Sequence, residues 1–220
     1  MERTKEAMTD TPLSHRLRAE TKEAHTIAER SGIMRDLLRG TITLPSYVSL
    51  LKNLAALYQA MEAELDRNAN HAALQGVDWN AVRRYPALQH DIAQLIDSTA
   101  TDALAPATLE YVARVHELGD HAPELLFAHA YLRYLGDMYG GQIIKRIMLE
   151  KVIPGHDDAV SFYEFDRIEN LHAFMVPFRE SLDSIRLSSA QSDGMVREAL
   201  LGYELHARMF EELASRTGSA

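Results

Sequence analysis

The chain contains no cysteine. That absence excludes a disulfide-stapled fold, a cysteine nucleophile, a thiolate-ligated haem and a cysteine-ligated iron–sulfur cluster. Any redox chemistry must then come from a bound cofactor. No stretch approaches the ~20 consecutive apolar residues of a membrane-spanning helix. Met1 to Asp10 lack the apolar segment of a signal peptide, and Ala214 to Ala220 are too polar and small for a tail anchor. A cytoplasmic protein without a membrane anchor is the expectation. Basic residues are outnumbered, 23 against 32 acidic, for a net charge of -9. Such a field repels phosphate backbones, so nucleic acid is not an expected partner. Sustained period-2 alternation, the mark of half-buried strands, is missing.

What is present is an ordinary globular mixture, 46% hydrophobic and 25% charged over 220 residues, arranged with helical periodicity. Thr11-Pro12 reads as a helix start, with proline at the first helical position, and the helix is expected to run to Arg30. A short helix over 33–39 ends at Gly40. A long one starts at Leu44-Pro45, with a wide apolar face of Tyr47, Leu50, Leu51, Leu54, Leu57, Tyr58, Met61 and Leu65. The segment 68–86 is looser and holds the only tryptophan, Trp79. Further helices are expected over 87–97, 106–118, 123–152, 166–187 with a kink at Pro177, and 192–216. No internal repeat or long linker divides the chain, so one all-α domain is predicted.

Two features carry chemistry. The first is Tyr131-Leu-Arg-Tyr-Leu-Gly136-Asp137-Met138-Tyr139-Gly140-Gly141-Gln142, set between two strongly helical halves. Each interior glycine costs about 1 kcal/mol relative to alanine. Gly136 and Gly140 are four apart and share a face. They form a strip without side chains, on which a planar ligand can lie. A glycine-lined helix crossing, or a break into two helices, explains the same residues equally well. The second feature is Arg18, Thr21, Lys22, His25 and Glu29, which fall on one helical face. A neutral imidazole at His25 can ligate a metal through one nitrogen while Glu29 orients the other. Arg18 and Lys22 suit ligand carboxylates. An ordinary solvated charged face is the plainer reading of these residues taken alone. His129 reads as a core histidine, and His206, with Tyr203 and Phe210 at helical spacing, can face a pocket. Glu169-x-x-His172 has no second copy, which argues against a di-iron bundle.

Thr21-Lys-Glu-Ala-His25-Thr resembles the proximal-helix motif of heme oxygenases, and Tyr131 to Gln142 resembles their distal-helix signature. Glu124-Leu-Leu-Phe-Ala-His-Ala, Phe162-Tyr-Glu-Phe165 and Phe210-Glu-Glu-Leu213 also fit. The similarity runs in order from Leu13 to Leu213. It implies an all-α, single-domain heme oxygenase-like fold over 11–216, after a disordered 1–10 and before a tail at 217–220. Haem would be sandwiched between the proximal and the distal helix. By that resemblance His25 is the axial metal ligand and Glu29 holds its second nitrogen. Gly136 and Gly140 let the distal helix lie on the haem face, and Asp137 organises proton delivery, with Tyr58 and Arg133 in support. Arg18, Lys22, Tyr131 and Arg179 belong to the propionate-binding region, and His206 stands where an asparagine is common. Met175 replaces a frequent lysine, and losing that cation weakens the anchoring that sets haem orientation; position 18 is arginine rather than lysine.

The implied activity is oxygenation of haem b, substrate and cofactor together, to biliverdin (expected as the α isomer), CO and Fe2+. It consumes O2 and electrons from a ferredoxin or a flavin reductase, because no nicotinamide or flavin motif is visible here. Lys22, Arg18, Lys145 and Arg146 are candidates for docking that donor, and a monomer is expected. The alternative is a haem carrier or sensor without turnover, which has no use for Asp137. A thiamin-degrading enzyme of similar helical build relies on a cysteine, and there is none.

Overall fold

The computed structural model describes residues 11–95 and 103–217. The described residues form helices joined by turns and loops, with no strand among them. The helices are α1 (Leu13–Glu20), α2 (Lys22–Arg30), α3 (Gly32–Arg39), α4 (Leu44–Arg67), α5 (Tyr85–Gln94), α6 (Pro106–His121), α7 (Leu126–Ile147), α8 (Leu171–Ser184) and α9 (Ser189–Thr217). Residues 1–10, expected to be disordered, lie outside the described residues, as do 218–220 and the end of the helix expected over 87–97.

Local chemistry explains most boundaries. The Thr43 side chain caps α4 by accepting from the Ser46 backbone N–H, with Pro45 in the first turn. Gly40 ends α3 at φ 69°, ψ 30°, the left-handed conformation that glycine adopts without strain. Two expectations need correction. The first helix is not continuous: Thr21, at φ -100°, ψ 0°, separates α1 from α2. Its buried hydroxyl donates back to the Leu17 carbonyl at 2.6 Å, a contact that bends helices. The helix expected from Asp166 starts only at Leu171, because Asn170 supplies the cap, accepting from the Ala173 N–H at 3.0 Å. α8 then runs past Pro177 to Ser184.

The core is built on α4 and α9. The apolar face read along α4 is buried as expected, and α4 packs against α5, α6 and α9. The long α9 also carries α2, α3, α6 and α7. It is therefore the common support of the two motif-bearing helices. Trp79 fills the loop after α4, edge-on to Phe127 and Phe178 at 5.3 and 5.8 Å. The glycine-rich stretch neither breaks nor unwinds. α7 is α-helical from Leu126 to Ile147 and passes into one π-helical turn at Met148–Val152.

Candidate active site

A Cβ built on Gly136 or Gly140 meets no heavy atom within 4 Å. A glycine-lined helix crossing would place a neighbour there, so these two glycines are not packing devices. They leave one face of α7 bare, and Tyr139 and Ile143 on the same stretch are 52% and 53% exposed. Gly141 differs, since its Cβ would touch the Tyr163 ring at 3.4 Å.

Between the bare glycines, Asp137 points into the protein and is 8% exposed. Its carboxylate accepts from the Tyr58 hydroxyl and from Arg133 Nη2 at 2.8 Å. Arg133 Nε donates to the Tyr58 oxygen at 3.1 Å, closing a three-membered network. Tyr58 comes from α4 and is fully buried, so two helices set the geometry. Burial raises the Asp137 pKa above the usual carboxylate range, while the Arg133 charge, the Tyr58 hydrogen bond and the Arg84 charge pull it back. Phe162 packs on Tyr58 at 5.9 Å. Its loop is fixed by Asp91, which accepts the Ser161 and Phe162 N–H groups at 2.9 and 2.8 Å. The Arg84 guanidinium lies 3.9 Å over the Phe165 ring.

His25 lies on α2 with its side chain 47% exposed. Its Nε2 is 3.7 Å from Glu29 Oε1, and its ring meets Tyr203 of α9 edge-on at 5.5 Å. Arg18 and Lys22 are exposed and have no ion-pair partner among the described residues. Arg179 of α8 donates to the Tyr139 hydroxyl, its guanidinium 5.5 Å from that ring. Tyr131 gathers this group: burial raises its pKa, and the charges of Arg179 and Arg18 oppose the rise.

His206 is not brought to that cationic rim. It is buried with its ring edge-on to Tyr111 at 5.0 Å, and Nδ1 bonds the Gly202 carbonyl at 2.8 Å. Burial and the Arg133 charge hold its pKa well below the ordinary histidine value, so it is neutral. Its Nε2 and the Tyr134 hydroxyl are buried without a protein partner. His129 is a core histidine as expected, bonded to Tyr111 at 2.8 Å and Glu198 at 3.0 Å. Of the docking candidates, Lys145 is tied to Glu164, whereas Arg146 is exposed. The sequence places Tyr203 at helical spacing from His206 but does not set it beside His25, nor Tyr139 under Arg179. The only signal for Tyr139 was its place between the glycines.

The heme oxygenase family model matches residues 11–212, which is more than nine-tenths of the chain. The chain belongs to the heme oxygenase family. A heme oxygenase of Pyropia yezoensis is 38% identical over 205 residues, 92% of this chain and 86% of that protein. Heme oxygenase 1 of Nostoc sp. is 34% identical over 203 residues, 91% and 85% of the two chains. Among solved structures, heme oxygenase-1 of Synechocystis sp. in complex with heme superposes with a TM-score of 0.87. It is 33% identical, and the match covers 94% of this chain and 96% of that one. Both motif helices lie inside the stretch that the family model matches.

Proposed function

We propose that the chain cleaves haem oxidatively to biliverdin, with release of CO and Fe2+. The observation that carries this reading is the bare strip at Gly136 and Gly140 with the Asp137–Tyr58–Arg133 network set between them. The residues fit the group. An exposed imidazole on α2, an open strip on α7 and unpaired cations on α1 and α2 match an iron centre, a flat ring and two carboxylates.

In this reading His25 would hold the iron, and Glu29 would accept from its other nitrogen and keep the imidazole oriented. Arg18, Lys22, Arg179 and Tyr131 bind the ligand's carboxylates. Bound haem supplies both the O2-binding iron and the porphyrin that is oxidised. Gly136 and Gly140 admit the ring face without contributing an acid or base of their own. Asp137 moves protons from beside that face through solvent, since its carboxylate is engaged by Tyr58 and Arg133. Arg133 holds its charge and Tyr58 its hydrogen bond, so the carboxylate is fixed in direction.

Biliverdin α is the expected isomer. Electrons come from a separate ferredoxin or flavin reductase, which Arg18, Lys22 and Arg146 are suited to receive at the cleft mouth. The protein acts as a cytoplasmic monomer. Among the described residues no helix is long and apolar enough to cross a membrane.

Titration with hemin followed by ascorbate under air tests the reading. A Soret band that saturates at one haem per chain and then gives way to a biliverdin band supports it, and His25→Ala should lose that sequence. A Soret band that persists under reduction overturns turnover in favour of carriage. No Soret shift removes the haem assignment altogether.

A further inference from the structure

The backbone amides of a helix's first turn need acceptors from outside the helix. At α1 the cap position is Pro12, which offers no side-chain oxygen. The acceptor comes from α8 instead. Asp183 Oδ1 accepts from the Ser14 backbone N–H at 2.7 Å, and Oδ2 accepts from the Ser14 hydroxyl at 2.7 Å. Both oxygens of one carboxylate thus hold one residue of another helix, in a part-buried setting where such a bond is strong.

The position of this clamp matters more than its strength. Along α1, Arg18 lies one turn after Ser14. Along α8, Arg179 lies one turn before Asp183. Residues four apart share a helix face, and α1 packs on α8. The Ser14–Asp183 pairing therefore fixes α1 on α8 beside Tyr131, the residue on which both Arg18 and Arg179 act. Tyr131 confirms the convergence: its hydroxyl donates to the Ser14 carbonyl at 3.4 Å, and both guanidinium charges act on that phenol. Arg16, two residues before Arg18, is held by Glu20, Ser192 and Asp193. Arg18 has no such partner among the described residues, and Arg179 bonds only Tyr139. Two like charges brought together repel each other; Asp183, whose charge acts on the same phenol, supplies both a fixed support and a nearby counter-charge.

We infer that the Ser14–Asp183 clamp is a positioning device. It sets the separation of Arg18 and Arg179, and through them the in-plane orientation of a flat dicarboxylate ligand. That orientation decides which edge of the ring faces Asp137. The inference rests on the haem reading above and adds Ser14 and Asp183, which touch no ligand, to the residues that control the reaction's outcome.

The test compares hemin with its dimethyl ester, in which the carboxylates are blocked, by absorption titration of the full chain. Asp183→Ala should weaken hemin binding by roughly tenfold or more, the worth of a hydrogen bond to a charged group, and leave the ester's Kd unchanged. Under ascorbate the same variant should turn one biliverdin isomer into a mixture. Asp183→Asn keeps an acceptor for the Ser14 N–H and a donor for its hydroxyl, and should restore both properties. Ser14→Ala removes one of the two bonds and should fall between; it keeps the assay decisive should Asp183→Ala fail to fold. Parallel loss of affinity for hemin and ester, or an unchanged hemin Kd with a lowered Tm, would reduce the clamp to a structural contact and overturn the inference. Absence of a Soret shift for either ligand with the unaltered chain is a different result, and it overturns the haem reading itself.

Discussion

Gly140 separates stability from function at a single atom. A Cβ there meets nothing within 4 Å, and the residue is inside a regular helix. Gly140→Ala should therefore stabilise the ligand-free protein by about 1 kcal/mol, the helix-propensity difference, raising Tm by roughly 2–4 °C. The same methyl group stands where the ring face would lie, so hemin affinity should fall. Paired thermal melts and hemin titrations check both signs. Asp137→Ala should keep the Soret band, since Asp137 holds no part of the ligand, but lose biliverdin formation; single-turnover spectra with ascorbate decide it. Glu198 is a purely structural case. Burial pushes its pKa up, but hydrogen bonds and charge from Arg114 and His129 outweigh burial and hold it at about 2, below the ordinary 4.5. A depressed carboxylate pKa contributes stability that is complete above pH 4.5 and is lost as pH falls toward 2. Denaturant melts across that range should show a slope that Glu198→Gln flattens.

At the scale of elements, the junction between α2 and α3 is the most constrained. Gly32 has φ 40°, and a Cβ there would lie 2.0 Å from the Phe210 carbonyl oxygen on α9. Its N–H also donates to Glu211 at 2.7 Å. Gly32→Ala should cost more than about 2 kcal/mol, from backbone strain and displacement of α9 together, measured by chemical denaturation. Because α9 also supports α2, hemin affinity should drop with stability. This is the reverse of Gly140→Ala, where the two move apart.

Over the whole molecule, the cleft-bearing helices and the core are different kinds of structure. α4 buries its apolar face against α5, α6 and α9, and α6 also packs on α9. By contrast α1 and α2 bury few residues: Leu13, Ser14 and Leu17 on one, and Ala28 on the other. Elements with little buried area open at low free energy. Ligand that binds only the folded state stabilises it by mass action. Saturating hemin should therefore slow amide exchange most in α1, α2 and α8 and least in α4 and α6, which hydrogen-exchange mass spectrometry can resolve. Uniform protection across all helices would mean that the cleft and the core open as one unit.

The sequence by itself determined the all-helical fold, most helix ends and the two motifs, because these follow from apolar spacing, capping residues and glycine placement within a few residues of chain. Gly40, Thr43 and the apolar face of α4 needed nothing more. It also brought the heme oxygenase resemblance into view through Thr21 to Thr26 and Tyr131 to Gln142. Only the tertiary structure decided what depends on residues far apart in the chain. It showed that nothing packs on Gly136 and Gly140, which spacing alone left undecided between a ligand strip and a helix crossing. It broke the first helix at Thr21, where a side chain competes for the backbone. It buried His206 edge-on to Tyr111, because the rotation of α9 is fixed by every helix that packs on it. And it joined Ser14 to Asp183, 169 residues apart, a contact that no local pattern encodes.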